Sequence, residues 1–122
     1  MRSLERIAAW GQGWAALMGG PQLAQTARTT SLTSLADLRG RIDDLEQRLA
    51  EHGRRLSDID ILVPAAAGDL TRDWSAQQRL DELGMLTELG VTWVGVVVPC
   101  ESHSSCLERI EEFGDEVIAK LT

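Results

Sequence analysis

Cys100 and Cys106 lie six residues apart, with His103 between them and Glu101 and Ser102 beside it. Two nearby thiols suggest a metal site or a redox couple. Structural zinc sites combine shorter spacings with a second Cys/His pair, and redox motifs use C-x-x-C. A lone C-x5-C fits neither pattern. The pair is therefore expected to be two reduced cysteines, one closing a strand and one facing a helix core. His103 would act as a general base only opposite a nucleophile. Ser102, Ser104 and Ser105 lack a G-x-S-x-G elbow and are better explained as helix caps. That leaves His103 as a helix-start residue in solvent.

Arg28 and Arg72 sit in connecting stretches. Their forked donors suit a phosphate or a carboxylate, and they equally suit ordinary surface positions. His52 suits a helix C-terminus, where positive charge favours the dipole. Gly11-Gln12-Gly13 permits close backbone approach, but it follows a helix instead of opening one and lacks the third glycine of a dinucleotide fingerprint. A tight reversal explains both glycines. No catalytic residue and no metal ligand is assigned.

Composition narrows the setting of these residues. The chain has 122 residues, 43% of them apolar, enough for one domain over 1–122 with a real core. Its formal net charge of −7, from 12 basic and 19 acidic residues, disfavours nucleic acid and anionic membrane surfaces as partners. Apolar runs are too short for a membrane span, and the N-terminus lacks the apolar stretch of a secretory signal. A cytoplasmic location is expected.

Periodicity then supplies the elements. The first half of "ERIAAWGQGWAALM", residues 5–18, reads as a helix with Leu4, Ile7 and Ala8 on one side, and "GWAALM", residues 13–18, reads as a short buried strand. A long Gly/Thr/Ser-rich stretch follows over 19–34, with a helical turn near Leu23 to Arg28; its length suits a lid. Ser34 is an N-cap, with Asp37 in the acidic first turn. Leu35, Leu38, Ile42, Leu45 and Leu49 form one helical stripe, and Gly53 suits the position just past its end. The stripe covers only about two heptads, short of a persuasive coiled coil.

"DIDILVPA", residues 58–65, is a strand closed by Pro64, and residues 66–74 are a loop. Ser75 caps a helix bearing Ala76, Leu80, Leu83, Leu86 and Leu89, which Gly90 ends. "VTWVGVVVP", residues 91–99, is continuously apolar, as in a strand buried on both faces of a parallel sheet. Ser105 and Glu108 fit a capping box. The last helix turns Cys106, Leu107, Ile110, Phe113, Val117 and Leu121 inward. Strands separated by helices give right-handed βαβ units and a parallel α/β sheet. With about three strands, both sheet edges are expected to need a neighbour.

The order of these segments resembles the luciferase-like monooxygenases, a family of flavin-dependent enzymes and oxidoreductases that use coenzyme F-420. "ERIAAWGQGWAAL" is similar to the family's A-A-R-x-G-D-G-W. "AEHGRRLSDIDILV" is similar to A-G-R-D-P-x-x-I-x-V, and "LDELGMLTELGVTWVGVVVP" to L-x-x-L-A-E-L-G-V-D-R-V-V-V. The resemblance spans nearly the whole chain. Gln12 stands where the family usually has Asp, and Thr92-Trp93 where Asp-Arg is common.

The resemblance implies a partial (β/α)8 TIM barrel, about its last three β/α units, with roughly five strands expected upstream of Glu5. It implies FMN or coenzyme F-420 as cofactor, a small-molecule substrate in the full barrel, and hydride transfer or oxygen activation. Within this chain Gly11, Gly13 and Trp14 are the cofactor-binding candidates, Trp14 as a flat wall for an isoalloxazine. The family's active-site residues lie mostly upstream, so none is carried over. The other reading is a truncated, non-catalytic α/β module that self-associates or binds a partner protein.

Overall fold

The computed structural model describes residues 2–19, 21–27 and 32–121. Arg28 lies outside the described residues. The elements are α1 (Arg2–Trp10), β1 (Gly13–Ala15), α2 (Pro21–Ala27), α3 (Leu35–Glu51), β2 (Asp60–Asp69), α4 (Ala76–Leu89), β3 (Trp93–Val97) and α5 (His103–Glu116). Short 3-10 turns precede β2 and follow α5. The strands form a parallel three-stranded sheet in the order β1-β2-β3. Two compact units are present. One comprises Met1–Val63 with Leu86–Trp93, and the other Pro64–Met85 with Val94 onward.

In the first unit α1 packs on α3. Leu4 and Ala8 of α1 are buried, as are Leu38, Ile42, Leu45 and Leu49 of α3, so the leucine stripe is a core stripe. Ser34 caps α3, its hydroxyl accepting from the Asp37 N–H at 3.1 Å. At the other end Gly53, at φ +70°, donates to Ala50 O while Arg54 donates to Leu49 O. These two bonds satisfy the last carbonyls of the helix, and the left-handed backbone they need favours glycine.

β1 pairs with β2 in the register Gly13–Asp60, Trp14–Ile61, Ala15–Leu62. Paired residues of a parallel ladder share a face, and successive residues alternate. Trp14, Ala16, Ile61 and Val63 therefore lie on one side, and all but the half-buried Trp14 are buried. Gly13, Ala15, Leu17, Asp60 and Leu62 lie on the other side and are exposed. The sheet in this unit has one covered face and one bare face. The expected buried strand over 13–18 is thus corrected to three residues that bury one side only.

In the second unit β2 does not stop at Pro64 but runs on to Asp69, so the expected loop over 66–74 starts later. A proline is tolerated there because the register with β1 ends at Leu62, before the ring that cannot donate. Leu70 N–H donates to Val97 O at 2.9 Å. Ser75 caps α4, accepting from the Gln78 N–H at 3.1 Å while Gln78 Oε1 accepts from the Ser75 N–H at 2.8 Å.

Three further expectations are corrected. β3 is not buried on both faces: Trp93 is 62% exposed, and Val96 and Val97 are also exposed. It is the last strand in the order β1-β2-β3, so among the described residues only one of its edges is paired. α5 is capped by Ser102 with Ser105, not by Ser105 with Glu108. Of its expected inward residues Leu107, Ile110 and Leu121 are exposed; Cys106 and Phe113 are half-buried, and only Val117, just past the helix, is buried.

Cys100 and Cys106 form a disulfide rather than a reduced pair. The reason is the earlier cap. Because the helix starts at His103, its first turn carries Cys106 back over Cys100, to a Cα–Cα distance of 4.7 Å. No helix among the described residues is long and apolar enough to cross a membrane.

Candidate functional site

The most enclosed polar group of the second unit is Arg79, on the first turns of α4. It is 6% exposed, and it is the one charged side chain in the core of the described residues. Its Nη1 donates to the carbonyls of Ala66, Ala67 and Asp69 at 3.0, 3.1 and 3.0 Å, and its Nη2 to that of Arg72 at 2.8 Å. The guanidinium fork thus gathers the end of β2 and the start of the connection to α4. One turn on, a Glu82 carboxylate oxygen accepts from the Ala67 N–H at 2.5 Å. A strand end held by one cation and one anion from the same helix is pre-organised, with its orphan donors and acceptors satisfied.

Arg79 also floors a cleft of about 200 Å³, walled by Leu70, Trp74, Arg109, Phe113 and Glu116. Arg72 lines it too. Its Nε reaches Asp69 Oδ2 at 3.4 Å. The Asp69 carboxyl is held below its ordinary range, first by the Thr71 hydroxyl and then by the Thr71 N–H, with Arg72 a lesser contributor. The cleft joins two aromatic rings to charges of both signs. It contains no serine, cysteine or histidine that could attack a substrate. No group of three metal-ligating side chains occurs among the described residues.

The cofactor candidates of the sequence lie in the first unit. Gly11 follows α1 and donates to Ile7 O at 2.8 Å; a Cβ there would stand 2.8 Å from Ile7 Cα. A Cβ on Gly13 would stand 3.0 Å from Asp60 O. Trp14 lies on the helix-covered face, opposite Ile61. Both glycines are thus packed against the chain's own backbone, and the tryptophan faces the core side. No chemical step is assigned through a cofactor at these positions.

His103 is the first residue of α5 and exposed, as expected of a helix-start histidine. His52 is the C-cap of α3, as its sequence position suggested, but it has a further partner. Its Nε2 lies 2.7 Å from Glu5 Oε1, and Arg48 Nη1 reaches Glu5 Oε2 at 3.2 Å while its Nε reaches Asp44 at 2.9 Å. The hydrogen bond with His52, then the bond from Arg48, holds the Glu5 carboxyl below its ordinary value of 4.5 against partial desolvation. This cluster joins α1 to α3.

Sequence reasoning passed over Arg54 as well. Its guanidinium donates to Ile7 O, Ala8 O and Gly11 O at 3.1, 3.0 and 2.6 Å. It therefore caps the C-terminal carbonyls of α1 from a distant loop. Arg79 alone left a readable signal: it falls four residues before Leu83 and seven before Leu86, on their stripe.

Compared with protein-family models, curated proteins and solved structures, the chain matches none.

Proposed function

We propose that this chain is the carboxy-terminal portion of a luciferase-like (β/α)8 barrel, about its last three β/α units. The whole barrel is read as a cytoplasmic FMN- or F-420-dependent oxidoreductase acting on a small organic substrate. One observation carries the barrel reading: a parallel sheet that is covered on one face and bare on the other, with Gly13, Ala15, Leu17, Asp60 and Leu62 in solvent. Parallel sheets bury both faces. In a barrel the helices lie outside and the inner face is closed by the remaining strands.

The redox chemistry is supported by the resemblance of "ERIAAWGQGWAAL" and the segments that follow it. In such enzymes the cofactor supplies the hydride or oxygen chemistry and the protein positions it.

The test is a fluorescence titration of the purified chain with FMN and with coenzyme F-420, folding being checked by circular dichroism. Saturable binding at micromolar cofactor, weakened by Trp14→Ala, supports the assignment of Gly11, Gly13 and Trp14. A folded chain that binds neither cofactor overturns that assignment.

A second reading has its own observation. α5 leaves Leu107 and Ile110 uncovered, which favours a non-catalytic module that meets a partner protein.

A further inference from the structure

The uncovered side of α5 is specific enough to say what should cover it. With about 3.6 residues per turn, Cys106, Phe113 and Val117 share one side of the helix. Of these, Cys106 and Phe113 are half-buried and Val117 is buried. Leu107 and Ile110 lie on the adjoining sector, 47% and 49% exposed. Glu111, Asp115 and Glu108 come next around the helix, and none of these three carboxylates takes part in an ion pair or hydrogen bond among the described residues. The apolar sector is therefore wider than the unit uses, and its free part is bordered by acid. Solvent-facing apolar residues set beside a polar rim mark interaction sites.

Charge decides between occupants. α5 carries five acidic residues and one basic one. A second copy docked by a two-fold axis would set Glu108, Glu111 and Asp115 against themselves, between chains of net charge −7 each. An anionic membrane is repelled for the same reason.

We propose that Leu107 and Ile110, rimmed by Glu108, Glu111 and Asp115, form a docking site for an amphipathic helix of another protein, one whose apolar stripe is flanked by lysines or arginines. This inference rests on the second reading above and is independent of cofactor binding. The two apolar residues supply the burial, and the carboxylates supply orientation and rate.

The probe is a fluorescently labelled leucine–lysine amphipathic peptide of roughly 15 residues, about four helical turns, followed by anisotropy. The controls are a scrambled peptide of the same composition and a leucine–glutamate counterpart. Saturable binding of the leucine–lysine peptide is expected, weakening with added salt. Ile110→Asp and Leu107→Asp are each expected to weaken it roughly tenfold or more, and Glu111→Gln with Asp115→Asn several-fold. Both apolar positions are exposed, so these variants keep the fold, as circular dichroism will verify.

Equal binding of the scrambled peptide reduces the effect to bulk charge and overturns the proposal. So does no binding, or binding untouched by Ile110→Asp. A dimer in sedimentation that Ile110→Asp dissociates makes the occupant a second copy and also overturns it. A chain that binds FMN or F-420 but not the peptide leaves the oxidoreductase reading standing and removes this one.

Discussion

Replacing Arg79 with methionine keeps an unbranched stem of similar length and removes every donor. Four carbonyls, those of Ala66, Ala67, Asp69 and Arg72, lose their bond to the guanidinium. A hydrogen bond to a charged group is worth about 1.5–3 kcal/mol net, and a buried acceptor left unmade costs about as much. Four such bonds do not add, because one side chain makes them all and Nη1 divides itself among three acceptors. The neighbouring cleft of about 200 Å³ also lets water reach part of the freed backbone. The loss is therefore set near that of breaking one buried charged contact, about 3 kcal/mol.

Urea denaturation followed by tryptophan fluorescence reads this directly. With a slope of roughly 1.5 kcal/mol per molar urea, the midpoint should fall by about 2 M. Arg79→Lys keeps the charge but offers a compact ammonium in place of a planar fork. It should recover part of the loss and stay about 1–2 kcal/mol below the parent. If both variants unfold within about 0.5 kcal/mol of the parent, the carbonyls find other donors and Arg79 does not hold the end of β2.

Gly68→Ala would drive a Cβ into the Gly95 carbonyl oxygen; the backbones must part, so the melting temperature should drop by an amount equivalent to about 2 kcal/mol or more, and an unchanged melting curve would show that the two strands have room. Glu5 titrates below its ordinary value of 4.5 in the folded chain. Its contribution is thus complete above that value and lost as pH falls through the folded one. Glu5→Gln should flatten the stability–pH curve in that acidic window; a parallel curve would count against the contact with His52. Reducing the Cys100–Cys106 disulfide, which closes a loop of six residues' separation, should lower stability by about 2 kcal/mol on a chain-entropy account, with mass spectrometry after alkylation confirming the reduction.

Signals confined to one element were legible. The Ser34 cap, the leucine stripe of α3, the Gly53 terminator and the Ser75 cap all follow from spacing within a single helix, and each is found in place. The alternation of strands and helices gave the parallel sheet. What failed were inferences about surroundings. The apolar run of β3 read as burial on both faces, but hydrophobicity records what a segment should face, not whether anything is there. α5 misled for the same reason. The reduced-thiol expectation failed on a shift of one element boundary. With the cap at Ser102 instead of Ser105, one helical turn closes C-x5-C.

The arginines failed differently. Arg54 and Arg79 act on backbone carbonyls, which every residue possesses, so nothing in the sequence of the partner segments marks them as targets. Side-chain pairs such as Glu5 with His52 at least leave complementary types to search for, although 47 residues of separation hide the pairing. Apolar residues left exposed and arginines fully engaged point the same way. The polar interior of the second unit is complete within itself, since Arg79 and Glu82 already satisfy the end of β2. Its apolar exterior, from Val96 and Val97 to Leu107 and Ile110, is not. A partner therefore has little to add by hydrogen bonding at that strand end and more to add by covering α5. That is why Ile110→Asp, and not a change in the cleft, is the substitution that should separate a self-sufficient module from one made to be covered.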